Sequence, residues 1–181
     1  MRHARWGALL IGLLMVSACA RNAPAPVSQA AQPPPFLLKA SIRELMDAQI
    51  DPAADTLWES VAFNITAAGE ETRQPRTTEE WKAVRRGAIT LIEASNLLMM
   101  EGRHIAPQNV LLAPGELRPE VLQQKLDANH APFDGFARAL QNVGLKALAA
   151  IDANDAAGLL EVGGEIDEAC ESCHLVYWYP P

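Results

Sequence analysis

Cysteine is scarce in this chain, with three in 181 residues. That number excludes the disulfide framework of a small secreted scaffold. Aromatic residues make up only 6%, and Ala and Leu dominate, a mix that fits helices rather than a β-sandwich. Long hydrophobic runs are missing too: the one apolar run near the start, Trp6 to Val16, is too short and too early for a stable membrane span. There is no internal repeat, nucleophile-elbow motif, phosphate loop or carboxylate-rich metal cluster, so nothing marks the chain as an enzyme. Basic residues are outnumbered, 15 Lys+Arg against 22 Asp+Glu, for a net charge of −7. That balance argues against nucleic acid and favours a partner with a basic patch.

What is present begins with a leader. Arg2, His3 and Arg5 precede the apolar run, which ends in Val16-Ser17-Ala18-Cys19. This resembles a bacterial lipobox, in which small residues precede a cysteine that becomes the lipidated N-terminus. Ala18-Cys19-Ala20 also fits an ordinary A-x-A cleavage site, which would discard Cys19. The lipoprotein reading makes residues 1–18 a signal peptide and Cys19 the lipid anchor. Ala20 is not acidic, which by analogy with lipoprotein sorting favours the outer membrane, facing the periplasm. Without residues 1–18 the chain keeps 13 basic and 22 acidic residues, a net of −9. Arg21 to Pro35 is rich in Ala, Pro and Gln and reads as a disordered tether. Residues 19–35 are then lipidated Cys and spacer, and residues 36–181 are the folded domain.

Hydrophobic residues are 49% of the sequence against 20% charged, enough for a sizeable core, and their period is helical. The first helical region runs from about Phe36 to Phe63, with Leu38, Ile42, Leu45, Met46 and Gln49 on one face. Asp51-Pro52 interrupts it, giving a kinked helix or two abutting ones, and Ala54, Leu57, Trp58 and Val61 continue the stripe. Gly69 to Pro75 reads as a polar loop. Thr77 and Glu80 have capping-box spacing ahead of a helix over about 78–101. Its stripe includes Trp81, Val84, Ala88, Leu91, Ser95 and Leu98. A long connection over 102–118 leads to a short helix opened by Pro119. The next long helix starts near Pro132 and carries Phe133, Phe136, Leu140, Ala147 and Ile151. A short turn at Ala153-Asn154, with Asn154 as N-cap, makes the last helix its antiparallel neighbour. The expected fold class is all-α, an antiparallel four-helix bundle.

The last helix carries the chemistry. Leu159, Val162, Ile166, Ala169, Cys170, Cys173, His174 and Tyr177 form one stripe. Within it, Cys170-Glu171-Ser172-Cys173-His174 reads Cys-x-x-Cys-His, the attachment signature of a c-type haem. Two thiols add across the two porphyrin vinyl groups, and the next residue reaches the iron through an imidazole nitrogen. On a helix the three side chains sit at i, i+3 and i+4 and share a face. A zinc site needs about four N or S ligands, and no second pair stands at ligand spacing. A thioredoxin-like pair needs an alternating strand and helix pattern that is absent. A disulfide across two residues inside a helix is geometrically poor. With Cys170 and Cys173 on one covalent haem c and Cys19 on the lipid, no cysteine is left over.

An exported helical pattern with Cys-x-x-Cys-His near the end of its last helix resembles the cytochrome c′ family, over about residues 36–179. The resemblance implies a haem within the bundle and His174 as proximal ligand. The family divides by what faces the other side of the iron: a methionine of the first helix, or an apolar side chain that leaves the site open to small gases. Met46 resembles that methionine, and a Met/His pair raises the reduction potential relative to bis-His ligation. A methionine on a helical stripe is also a common core filler. The family's methionine is often followed by glycine, where Asp47 stands here. An arginine four residues earlier often meets a propionate, where Ile42 stands here and Arg43 is one residue off. Met99, Met100, His104 and His130 are weaker candidates for the sixth ligand.

The resemblance implies a monohaem cytochrome that transfers single electrons between periplasmic or membrane redox proteins. The alternative is a five-coordinate protein that binds NO or CO, and Met46 separates the two. Haem peroxidase activity would want a distal acid–base residue, and the first helix offers none. Family members are often dimers through their first two helices, so a homodimer is among the implied assemblies.

Overall fold

The computed structural model describes residues 36–180. The leader, Cys19 and the tether fall in 1–35, outside the described residues. The described chain is mostly helical with a small two-stranded sheet, and none of its helices is long and apolar enough to cross a membrane.

The first helical region is three joined segments: α1 (Ile42–Leu45), a π-helical turn (Met46–Ile50) and α2 (Asp51–Trp58). A capping box starts it. The Ser41 hydroxyl accepts from the Glu44 N–H, and the Glu44 carboxylate accepts from the Ser41 N–H. The region is shorter at both ends than the span from Phe36 to Phe63 read from the sequence, and its irregularity lies one turn ahead of Asp51-Pro52. Proline has no N–H, and its ring presses on the carbonyl four residues back, here that of Ala48. The chain relieves this in the preceding turn, where the Asp51 N–H donates to the Met46 carbonyl five residues back.

β1 (Ala62–Thr66) and β2 (Gly69–Arg73) form an antiparallel hairpin with Thr66 opposite Gly69. The loop reading of Gly69 to Pro75 is therefore corrected, as is the helical reading up to Phe63, and the all-α expectation becomes mostly helical plus this hairpin. Gly69 adopts φ +124°, which L side chains rarely reach. Apart from Ala62, the strand residues are exposed, so they lack the one-sided burial that makes strands visible as alternation.

α3 (Thr78–Leu98) opens with the expected Thr77/Glu80 capping box. α4 (Pro119–Ala128) has Pro119 at its first position. α5 (Ala131–Asp152) and α6 (Ala156–Tyr177) follow. The cap of α6 is Asp155, whose carboxylate accepts from the Gly158 N–H at 2.9 Å. Asn154, the expected cap, instead makes the turn with φ +54°, a conformation that asparagine tolerates better than most residues.

Paired contacts set the helix directions. Arg85 meets Asp152 at 2.7 Å and Gln141 donates to Asn96 at 2.6 Å, so α3 and α5 run antiparallel. Lys146 meets Glu165, and Phe133 packs edge-on to Tyr177 with ring centroids 5.2 Å apart, so α5 and α6 do too. α2 meets α3 where a Cβ on Gly87 would stand 2.9 Å from Thr56 Cγ2. α2 meets α6 where Trp58 Nε1 donates to the Gly163 carbonyl at 2.9 Å. Leu57, Leu91, Leu159 and Ile166 are fully buried between these helices. The buried Arg103 guanidinium donates to the carbonyls of Leu97 and Ala40 and so ties the end of α3 to the start of the first helical region.

Leu91 is 0% exposed and Ile65 78% exposed. Leu91→Ala is expected to lower stability to urea unfolding by about 2–5 kcal/mol. Ile65→Ala, on the hairpin, is expected to change it by no more than about 0.5 kcal/mol. A large loss from Ile65→Ala would show that the hairpin braces the domain.

Candidate functional site

α6 faces α5 and α2 with one stripe. Its first half, Leu159, Val162 and Ile166, is buried. Its second half carries Cys170, Cys173 and His174, all half-buried, and ends on buried Tyr177. Beyond Ile166 the neighbouring helices leave space instead of filling it. Two cavities meet there. One holds about 600 Å³ and the other about 770 Å³, open solvent at their mouths included. Cys173, His174, Met46 and Phe133 line both. Cys170 lines the second, beside Asp51, Trp58 and Leu140. The first is closed by Leu122 of α4 and by Ile105, Glu116 and Leu117 of the long connection.

The structure therefore brings Cys170, Cys173, His174 and Met46 to one place. Their walls are chiefly apolar, as a macrocycle needs. Both cysteines are free thiols. Burial, chiefly, pushes the Cys170 thiol up to about 11, with the charges of Asp51 and Asp167 adding to it. Burial and Cys170 push the Cys173 thiol up to about 12. Among the described residues no group of three or more His, Cys, Asp and Glu side chains is placed to hold a metal ion by itself. Two thiols, an imidazole and a thioether thus line adjoining cavities, a donor set compatible with a covalently held haem.

Burial also lowers the His174 pKa, while Asp51 and then Glu171 act against that shift. The imidazole is thereby favoured in its neutral form. Its ring sits 4.8 Å from that of Trp178 and 6.2 Å from that of Tyr179. The His174 carbonyl accepts from the N–H groups of both residues at 2.8 and 3.0 Å. Tyr177 packs against Phe133 and Phe136 and lines the first cavity.

The weaker ligand candidates stand elsewhere. Met100 Sδ meets Arg103, and His104 is exposed. His130 Nδ1 lies 2.9 Å from Asp134 Oδ1. Met99 packs on the core. None of them lines either cavity.

Several site residues were not assigned from the sequence. Asp51, read only as a helix cap, is a carboxylate of the second cavity, its pKa raised by burial and by Asp47. Arg43, one residue off the expected register, does reach the first cavity. There it pairs with Glu116 at 3.0 Å and lies 5.9 Å from the Trp178 ring centroid. Glu116 sits in irregular chain, where no periodicity could mark it. The apolar spacing of Phe133 and Leu122 was visible, but not their meeting at one cavity.

No protein family, no curated protein and no solved structure matches this chain.

The hydrogen bonds from Arg43 and from the Ala113 N–H hold the Glu116 carboxyl below its ordinary value near 4.5. A carboxylate lowered on folding adds stability that is complete above the ordinary value and is lost as pH falls through the lowered one. The difference in Tm between wild type and Glu116→Gln is therefore expected to be full near neutral pH and to shrink on acidification below about 4.5. A difference that stays constant down to acid unfolding would refute the pairing.

Proposed function

We propose that this chain is a monohaem c-type cytochrome that carries single electrons in the periplasm, with His174 and Met46 as the axial pair. The observation that carries this reading is the convergence of Cys170, Cys173, His174 and Met46 on the two adjoining apolar cavities. The motif and the antiparallel packing of the first helical region, α3, α5 and α6 support a four-helix bundle of the cytochrome c′ type. The lipobox-like run ending at Cys19 supports a lipid anchor in the outer membrane.

A bound haem supplies an iron that takes up and releases one electron. The chain's residues set the conditions. Cys170 and Cys173 are the attachment thiols, and their place on one helical face fixes the orientation of what they hold. His174 would offer an imidazole and Met46 a thioether, since both line the two cavities. Phe133, Leu122 and Tyr177 line the first cavity with chiefly apolar surface. Asp51, Asp167 and Glu171 put negative charge at the mouth of the second cavity, which favours the oxidised, more positive state. No general base or nucleophile is required.

Cys170→Ser/Cys173→Ser is expected to abolish the haem that stays with the polypeptide on a denaturing gel. The haem-loaded wild type is expected to be low-spin in both redox states and indifferent to carbon monoxide. Met46→Ala is expected to be high-spin and to bind carbon monoxide. A wild type that is already high-spin, and that Met46→Ala leaves unchanged, would overturn the Met46 assignment in favour of the gas-binding alternative.

A further inference from the structure

The π-helical turn Met46–Ile50 starts on the candidate ligand and ends just before Asp51-Pro52. Its effect is visible in which residues are buried. Leu45 and Ile50 are 3% and 2% exposed, five residues apart, while Ala53, Ala54 and Leu57 follow at α-helical spacing. Turns of this kind recur at functional sites.

The rotation can be followed residue by residue. An α-helix turns by roughly 100° per residue. Counted as an unbroken α-helix, Met46 would line up with Ala53 and Leu57, within roughly 20° of each. That side of α2 faces α3, because the Ala53 carbonyl and the Thr56 side chain lie against Gly87. The wide turn absorbs one extra residue. Met46 therefore swings by roughly 100° and lines up with Ala54 and Trp58 instead. That side faces α6, because Trp58 donates to the Gly163 carbonyl. The same rotation brings Leu45, which an unbroken helix would turn outward, into the core.

We propose that Pro52 is a positioning residue for Met46: by forcing the wide turn at Met46–Ile50 it aims the thioether at His174 on α6 rather than at α3. Two ends hold the turn open. Downstream, the Pro52 ring denies the Ala48 carbonyl its α-helical place. Upstream, the start of α1 is held by the bonds from the Ile42 N–H to the His104 carbonyl and from the Arg43 N–H to the Ile105 carbonyl, at 2.8 and 2.9 Å. Ala48 is exposed, so the extra residue sits on the solvent side. The inference rests on the proposed His174/Met46 pairing and adds what sets it.

The test compares haem-loaded wild type, Met46→Ala, Pro52→Ala, and Pro52→Ala with Ala48 deleted. Pro52→Ala is expected to shift the ferric spectrum from low spin toward high spin and to open the iron to carbon monoxide. Deleting Ala48 in that background removes the extra residue, so an ordinary helix then points Met46 at α6, and the low-spin spectrum is expected to return. A Pro52→Ala protein with the wild-type spectrum would overturn the proposal. Should Pro52→Ala fail to fold, the deletion variant alone decides: a low-spin spectrum supports the inserted-residue register, and a high-spin one refutes it. If Met46→Ala leaves the wild-type spectrum unchanged, the ligand reading fails by itself. The Met46 methyl resonance of the reduced protein then decides the turn's role. A ring-current shift present in wild type and in the deletion variant but lost in Pro52→Ala supports it, and the same shift in all three refutes it.

Discussion

One helical face has to do two jobs, and the rest of the domain is arranged around that. The inward stripe of α6 must bury Leu159, Val162 and Ile166 and, one to two turns later, leave Cys170, Cys173 and His174 lining a cavity. Helical geometry makes the two sets coplanar, so the neighbours cannot treat the ends of α6 alike. At the start they close in. Gly163 lets Trp58 approach until a Cβ there would stand 3.3 Å from its ring, and the indole N–H takes the Gly163 carbonyl. Toward the end the walls come from large side chains reaching across from other elements, such as Phe133, Leu122 and Met46. The cavity is thus bounded by side-chain length rather than by backbone separation.

The same face has an unusual charge environment. α6 holds Glu161, Glu165, Asp167, Glu168 and Glu171 and no Lys or Arg. Near its end, burial and these carboxylates act on Cys170 in the same direction, since both disfavour a thiolate. On His174 they oppose each other, because Asp51 and Glu171 favour the cation that burial disfavours. Burial prevails in both cases, so both thiols and the imidazole sit in their neutral forms.

How much of this was legible in the sequence depended on whether a local rule or a distant contact made the choice. Thr77 with Glu80, and Pro119 at the head of α4, are local signals, and both elements begin where the signals stand. The stripe of α6 was legible because its burial follows the helical period. The hairpin was not, because Phe63 and Ile65 are exposed and nothing buried marks their alternation. The wide turn misled a fixed period in a particular way: Gln49 occupies the place that the structure gives to Ile50. The break in spacing from Leu45 to Ile50, followed by proline, was nevertheless there to be read. Arg43 with Glu116 joins residues 73 positions apart, and no pattern in either neighbourhood foretells it.

That last pair explains how an irregular connection can wall a cavity. Residues 102–118 contain no helix or strand, yet their backbone is tied at several points to elements beside the site. The carbonyls of His104 and Ile105 accept from the first N–H groups of α1, groups that no helix can satisfy internally. Near its end, the Leu117 N–H donates to the Trp178 carbonyl at 2.8 Å. Between these ties, Glu116 takes both Arg43 nitrogens and the Ala113 N–H. Arg43 in turn lies over the Trp178 ring. Each half-exposed contact is individually modest and weakened by salt. Together they join the first helix, the connection and the C-terminal aromatics at the rim of the first cavity. Because Trp178 also packs on His174, the rim and the candidate iron ligand are in direct contact.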